Sequence, residues 1–388
     1  MLVVLTRPAV LRPVLAVLRR VAPVLRLGRR VVVSRHADVV EILGRDQDFT
    51  LSELNGPPIE RWSGPFILGM DRGDTYDREA AALRRAVPGD ELPRVRALVR
   101  ANAEALLARS DGRIDVVGEY SRVAATRLVA SYFGVPGPDE ATMMRWMRAM
   151  FDAVFIDFGP RAARAAELTV AEQRPYMERL VADRRAAVGA GEAVPDDLVT
   201  RLVREWADDD AVRRNVNGIV VGAVDTTSKA VAHVVDELLR RPAALEGARR
   251  AAADGDVDAV RGYAWEALRF LPHGPFLQRR CARPTTLASG RHVAAGTTVM
   301  LAVLSAMFDA DAFPQPGRFR ADRPADRYLH FGAGLHACFG RHINAVQVPE
   351  LVAALLRLPG LRRAPGRDGR LAYDGPFPHR LVLEFDRS

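Results

Sequence analysis

The chain has 388 residues, 48% of them hydrophobic and 27% charged, which is enough for a large core and excludes a disordered, collagenous or disulfide-stapled small scaffold. Its two cysteines, Cys281 and Cys338, cannot build a four-cysteine zinc or iron–sulfur centre, so cysteine chemistry here is that of a single thiol. The net charge of +8 sits at one end: residues 1–37 hold eight arginines and no acid, and the rest balances at 48 basic against 48 acidic residues, which argues against nucleic acid as a partner.

The N-terminal segment predicts an amphipathic helix whose solvated stripe is Arg12, Arg19 and Arg20, opposite a packed face of Leu11, Val14, Leu15 and Leu18. A transit peptide or a membrane-surface helix would use the same pattern, whereas Arg12 and Pro13 interrupt any secretory apolar core. Val24 to Leu27 and Arg30 to Val33 read as short strands around Gly28, followed by a helix from about Ala37 to Leu43. Apolar residues then recur at helical spacing over Glu79 to Ala108, Val116 to Phe133, Asp139 to Phe158 and Ala162 to Ala187. From the acid cluster Asp208-Asp209-Asp210 the pattern runs unbroken to Arg241-Pro242, roughly 45 Å of helix. Its centre, Gly218 to Val224, is small and apolar all round, which predicts burial through the middle of the molecule.

Beyond Leu271, Pro and Gly become dense, and β-like runs appear at Leu277 to Cys281, Thr298 to Val303 and Arg380 to Phe385. The longest uncharged run, His292 to Phe308, is too short for a membrane span and contains the turn-like Ala295-Gly296-Thr297-Thr298, so no transmembrane helix is expected. Without repeats or linkers, residues 1–388 read as one mainly α domain with small β-sheets.

The strongest local feature is Phe331-Gly332-Ala333-Gly334-Leu335-His336-Ala337-Cys338-Phe339-Gly340, followed by an apolar helical stretch. It satisfies a dinucleotide fingerprint as Gly332-x-Gly334-x-x-Ala337, but no strand–helix–strand unit surrounds it and the next helix contains Pro349. His330, His336, Cys338 and His342 offer metal donors, a reading that leaves the three glycines unused. A third reading uses every element: Cys338 as thiolate ligates a haem iron, glycines let the backbone pass under a flat macrocycle, and N–H groups of the next helix stabilise the sulfur.

This ten-residue stretch resembles the haem-ligand loop of the cytochrome P450 family at each defining position. Three more segments extend the resemblance in the family's order: Gly222-Ala223-Val224-Asp225-Thr226-Thr227 on the long helix, Glu266-Ala267-Leu268-Arg269, and Pro316-Gly317-Arg318-Phe319. The resemblance implies the cytochrome P450 fold, haem b as cofactor with Cys338 as its axial ligand, and a cytoplasmic monooxygenase acting on a small lipophilic substrate. It also implies a buried structural network of Glu266, Arg269 and Arg318, and a proton relay in which Asp225 serves Thr226. Gly332, Gly334 and Gly340 would border the haem, and Arg84, Arg279 and His336 would meet its propionates. The family often has a histidine four residues before the first of these arginines; this chain has Ala80, with Tyr76 or Arg78 as substitutes. Phe66 in the loop Pro65 to Met70, then Gly218, Val221, Pro275, Phe276, and Phe377 with Pro378, would line the substrate pocket.

Electrons would come from a ferredoxin and its reductase. The helix after Cys338 reads Asn344-Ala345-Val346-Gln347-Val348-Pro349, without the basic residue usual on that face, though Arg341 and His342 restore positive potential. A peroxide-using or oxidative-coupling enzyme on the same fold is the alternative, and a catalytically silent haem-binding module is a further one.

Overall fold

The computed structural model describes residues 8–156 and 159–387 and is 58% helical with small sheets. α1 (Pro8–Val21) leads into the hairpin of β1 (Val24–Leu27) and β2 (Arg30–Val33), then α2 (His36–Gly44), β3 (Phe49–Thr50) and α3 (Ser52–Ser63). The helical run expected over 79–108 is two helices, α4 (Asp74–Ala86) and α5 (Leu92–Leu107), because Pro88-Gly89 breaks it. After β4 (Arg113–Asp115), a π-helical turn at Val116–Ser121 opens α6 (Arg122–Ser131). α7 (Glu140–Phe151) passes into a second π-helical turn, Asp152–Ile156; the predicted end at Phe158 lies outside the described residues. Then come α8 (Pro160–Gly189), α9 (Leu198–Glu205) and the long α10 (Asp209–Leu238), whose first turn is capped by the Asp208 carboxylate accepting from the Asp210 N–H.

α10 is the axis of the molecule: Val212, Val216, Val220, Val224, Val231 and Leu238 are all solvent-free, and α6, α7, α8 and two later helices, Val257–Phe270 and Arg341–Leu356, pack around it. α11 (Pro242–Ala253) and α12 (Val257–Phe270) follow, then β5 (Leu277–Cys281), β6 (Thr285–Thr286), β7 (His292–Val293), β8 (Thr298–Leu301) and the single-turn α13 (Val303–Ala306). The predicted strand over 298–303 therefore stops at Leu301. The chain ends with α14 (Arg341–Leu356), β9 (Arg362–Arg363), the hairpin β10 (Ala372–Asp374) and β11 (Phe377–Arg380), and β12 (Val382–Glu384). The main sheet has the order β1-β2-β8-β5-β3, with β2 parallel to β8 and the other pairs antiparallel.

α1 keeps the expected packed leucines and the exposed Arg20 but departs from the expected pattern at Arg12, Val14 and Arg19. Leu11, Leu15 and Leu18 pack inward with Ala302 and Leu304, but so do two arginines: Arg12 lies over the rings of Phe270 and Phe308, and Arg19 donates to Ser305. Val10, Val14, Val17 and Val21 face outward instead. The long arginine stems cover apolar surface while their heads reach aromatic faces and carbonyls, which a simple polar-out pattern does not anticipate.

The Glu266 carboxylate and Arg269 guanidinium are fully buried and joined by two hydrogen bonds of 2.8 and 2.7 Å. The third cation is Arg323, whose Nε is 3.2 Å from Glu266 Oε1, and not Arg318. Arg318 is exposed; a turn in which its N–H donates to the Gln315 carbonyl points its own carbonyl inward, where Arg269 and Arg323 donate to it. The Arg320 N–H and the Tyr328 hydroxyl complete the shell around Glu266. Burial alone would push the Glu266 carboxyl up, but Arg269, with these donors, holds it below its ordinary range. Replacing Glu266 by Ala should cost about 3–5 kcal/mol in urea unfolding, because it leaves two buried guanidinium groups without their carboxylate. Arg318→Ala should stay within about 0.5 kcal/mol, as expected for an exposed side chain that contributes only its carbonyl.

Candidate active site

The network reaches the cysteine loop through one aromatic step. Tyr328, bonded to Glu266, stacks on His330 at 5.0 Å; the His330 Nε2–H donates to the Trp265 carbonyl on α12 and leads directly into Phe331. From there Gly332 and Gly334 take φ values of 65° and 70°, and a Cβ on Gly334 would run into the Leu43 carbonyl at the end of α2. The Cys338 N–H donates to the Phe331 carbonyl at 2.8 Å, which closes the loop and presents the half-buried thiol at the start of α14. Burial pushes the thiol up, and the Gly340 N–H and Arg341 oppose that shift. A thiolate at this position therefore calls for a cation beyond those the chain supplies.

α10 brings up the opposing side. A Cβ on Gly222 would meet nothing within 4 Å, so small residues leave open space beside the helix there. The Thr226 hydroxyl donates to the Gly222 carbonyl, four residues back. Asp225 is 3% exposed and does not pair with Lys229; its Oδ1 lies 3.1 Å from Arg122 Nε, and its Oδ2 has no partner. Burial raises the Asp225 carboxyl, an effect only partly offset by Arg122. One residue on, the Thr227 hydroxyl donates to Asn344 Oδ1 at 3.0 Å, while the Asn344 side-chain amide donates to the Gly340 carbonyl at 3.2 Å. The long helix is thereby tied to the cysteine loop through Asn344, a residue that sequence reading marked only as a departure.

At the other edge, Arg279 is 5% exposed and its guanidinium has one acceptor, the Gln278 carbonyl. Desolvation lowers it to about 10. His336 is lowered to about 4, first by desolvation and then by Arg279, and its Nδ1 is buried without a partner. Tyr76 packs edge-on against His336 and donates to the Leu335 carbonyl; the exposed Arg84 is close enough that its charge lowers the tyrosine, against the larger upward push of burial. Arg78 is exposed. A buried guanidinium with no carboxylate in contact, an orphaned imidazole nitrogen and a thiol in need of a counter-cation are what a macrocycle with a central metal and two carboxylates would satisfy, so the residues fit haem.

The pocket residues divide. Phe66 lies against α10 where Gly218 has no side chain, next to Val221, and Phe377 packs with Phe151. Pro275 accepts from the Leu304 N–H, and Phe276 packs against the cluster of Leu15, Ala302 and Leu304 beneath α1. The strand alternates, so Leu277 is the residue that turns toward the loop, beside Gly332. His330 and His342 take no part in a metal cluster: the first is bonded to Trp265 and the second is exposed beside Arg341.

The family model for cytochrome P450 matches residues 140–358. The chain is 30% identical over 347 residues to cytochrome P450-SU2 of Streptomyces griseolus, covering 86% of this chain and 81% of that protein. It is 29% identical to the erythromycin C-12 hydroxylase of Saccharopolyspora erythraea, covering 84% and 82%. The crystal structure of CalO2 superimposes with a TM-score of 0.85 at 26% identity, over 98% of this chain and 96% of that one.

Reduced protein exposed to carbon monoxide should show the red-shifted absorption of thiolate ligation, and Cys338→Ser should abolish it. Cys281→Ala should leave it intact, because Cys281 is buried in the sheet and bonded to the Arg283 carbonyl. A histidine-type spectrum in the unaltered protein would contradict the assignment.

Proposed function

The chain belongs to the cytochrome P450 family and is a monooxygenase that carries haem b, and on that premise we propose that residues 1–388 act as one domain inserting one atom of O2 into a C–H or C=C bond of a small lipophilic substrate in the cytoplasm. Haem, with Cys338 as ligand and Arg84, Arg279 and His336 at its carboxylates, supplies the reductive activation of O2. The observation that carries the reading is the Thr227–Asn344–Gly340 connection, which couples the helix bearing Asp225 and Thr226 to the loop bearing the thiol.

Asp225 and Thr226 are the proton-handling pair. The raised Asp225 carboxyl can hold a proton on Oδ2, the oxygen without a partner, and release from Arg122 lets it turn. Thr226 Oγ1 has its own proton engaged with the Gly222 carbonyl, so its lone pairs are free to accept a hydrogen bond, and the hydroxyl passes a proton on only after it turns away from that carbonyl. Gly222 and Ala223 keep the surrounding space small and apolar. For the electron donor, exposed Arg341 at the start of α14 supplies positive charge suited to an acidic ferredoxin served by a reductase.

Thr226→Ala and Asp225→Asn should uncouple the reaction: reduced cofactor is still consumed, while product falls by about 10²-fold or more. The measurement is product formed per reduced cofactor consumed, with a surrogate ferredoxin system. If product forms as fast from hydrogen peroxide without a donor, and neither substitution changes that rate, the enzyme is a peroxygenase instead.

A further inference from the structure

Burying a positive charge is costly unless a counter-charge comes with it. Among the described residues, five lysine or arginine side chains are buried: Arg213, Lys229, Arg269, Arg279 and Arg323. Arg213 has Asp210 at 2.5 Å, and Arg269 and Arg323 share Glu266. Arg279 lies beside His336 at the edge assigned to the haem carboxylates. Lys229, the only lysine of the chain, is left over. It is 7% exposed, and its contacts are the ring of Phe377, 5.1 Å away, and the like charge of Arg148. Arg148 lies over the same ring at 4.4 Å but is itself held by Asp152 at 2.7 Å. Asp225, one turn before Lys229, is turned to Arg122. Desolvation, with a smaller effect from Arg148, lowers the Lys229 amine to about 7.

Its place on α10 links this charge to the reaction. At about 100° per residue, positions 222, 226, 229 and 233 fall within about 60° of one another, so Lys229 projects from the face that carries Gly222 and Thr226, about 4.5 Å along the axis beyond Thr226 and about 10.5 Å beyond Gly222. His233 on the same stripe has both ring nitrogens engaged, with the Leu271 carbonyl and the Tyr373 hydroxyl. His273, just past α12, packs edge-on to Phe377 and Phe151, and its Nδ1 is buried without a partner. Desolvation lowers both histidines, and Lys229 adds to the effect on each, so they stay neutral. The Lys229 amine and a free imidazole nitrogen of His273 thus lie against one aromatic ring, Phe377, a residue assigned to the pocket lining.

We propose that Lys229, assisted by His273, anchors a carboxylate of the substrate, so that the lipophilic substrate is an organic acid held by its charged end below the oxygen-handling pair. One ammonium beside neutral imidazoles matches a single negative charge, as a carboxylate carries, better than the nearly doubled charge of a phosphate monoester. This names the substrate class of the monooxygenase reading and rests on it.

The test uses the haem-loaded protein and calorimetric titration with dodecanoate and 4-phenylbutyrate, each against its methyl ester. The unaltered protein should bind at least one acid tenfold or more tighter than its ester, and Lys229→Met should erase that preference. Lys229→Met should also raise the melting temperature, since it removes a desolvated amine without a partner. No acid preference in the unaltered protein, including no binding by either member of both pairs, overturns the proposal, as does a preference that survives Lys229→Met. Loss of preference together with a lowered melting temperature also overturns it, by making Lys229 a structural residue. The carbon monoxide spectrum of the same samples separates the two levels: a thiolate spectrum without acid preference removes the anchor and leaves the monooxygenase, whereas a missing thiolate spectrum removes the reading beneath it.

Discussion

A fully buried carboxylate between two guanidinium groups is the constraint on which the rest of the molecule depends. Glu266 and Arg269 lie on one turn of α12, so their mutual contact is local; the information is in what they recruit from afar. Arg323, the Arg318 carbonyl, the Arg320 N–H and Tyr328 all belong to the irregular segment before the cysteine loop, which has little regular secondary structure of its own. Apolar packing alone would hold such a segment loosely. Charged hydrogen bonds that are expensive to break give it one register, and Tyr328 stacked on His330 hands that register to Phe331 and onward to Cys338.

The second constraint is α10, which serves both the core and the chemistry. Its valines are buried in a continuous apolar environment, whereas one stripe carries glycine, threonine, lysine and histidine. Polar groups on a buried helix are tolerated when each has a partner. Ser228 meets Ser121, Thr227 meets Asn344 and His233 meets Leu271 and Tyr373. Among the described residues of α10, the Oδ1 atoms of Asn215 and Asn217 and Oδ2 of Asp225 have neither a hydrogen-bond nor an ion-pair partner, and of these Asp225 lies one turn from the open space at Gly222, which is where function would take up what folding leaves unsatisfied.

How much could be read in advance follows the range of the interactions. The long helix, the first two strands and β5 were legible because periodicity and breakers act locally, and the ten-residue cysteine loop was legible because its glycines and thiol are contiguous. Arg323 was not, since in a chain with dozens of arginines only the fold decides which one a distant turn delivers to Glu266. The inward arginines of α1 escaped for a related reason: Phe270 and Phe308, which receive Arg12, are more than 250 residues away. Phe276 was misread by one position, because a strand that alternates faces gives its neighbour Leu277 the inward direction instead.

The buried cations also order the assembly of the site. Arg269 and Arg323 find their carboxylate within the chain, so their cost is met on folding. Arg279 has a backbone carbonyl as its hydrogen-bond acceptor and the more distant charge of Asp71, and haem carboxylates would add the rest of its counter-charge on loading of the cofactor. Lys229 has neither. Its amine, lowered to about 7, either gives up its proton or is matched by a partner from outside the chain. The sequence of neutralisation, chain first, cofactor second and substrate last, would make the empty pocket the least stable part of the core and would give an acidic substrate a stabilising effect that a neutral one of the same shape lacks.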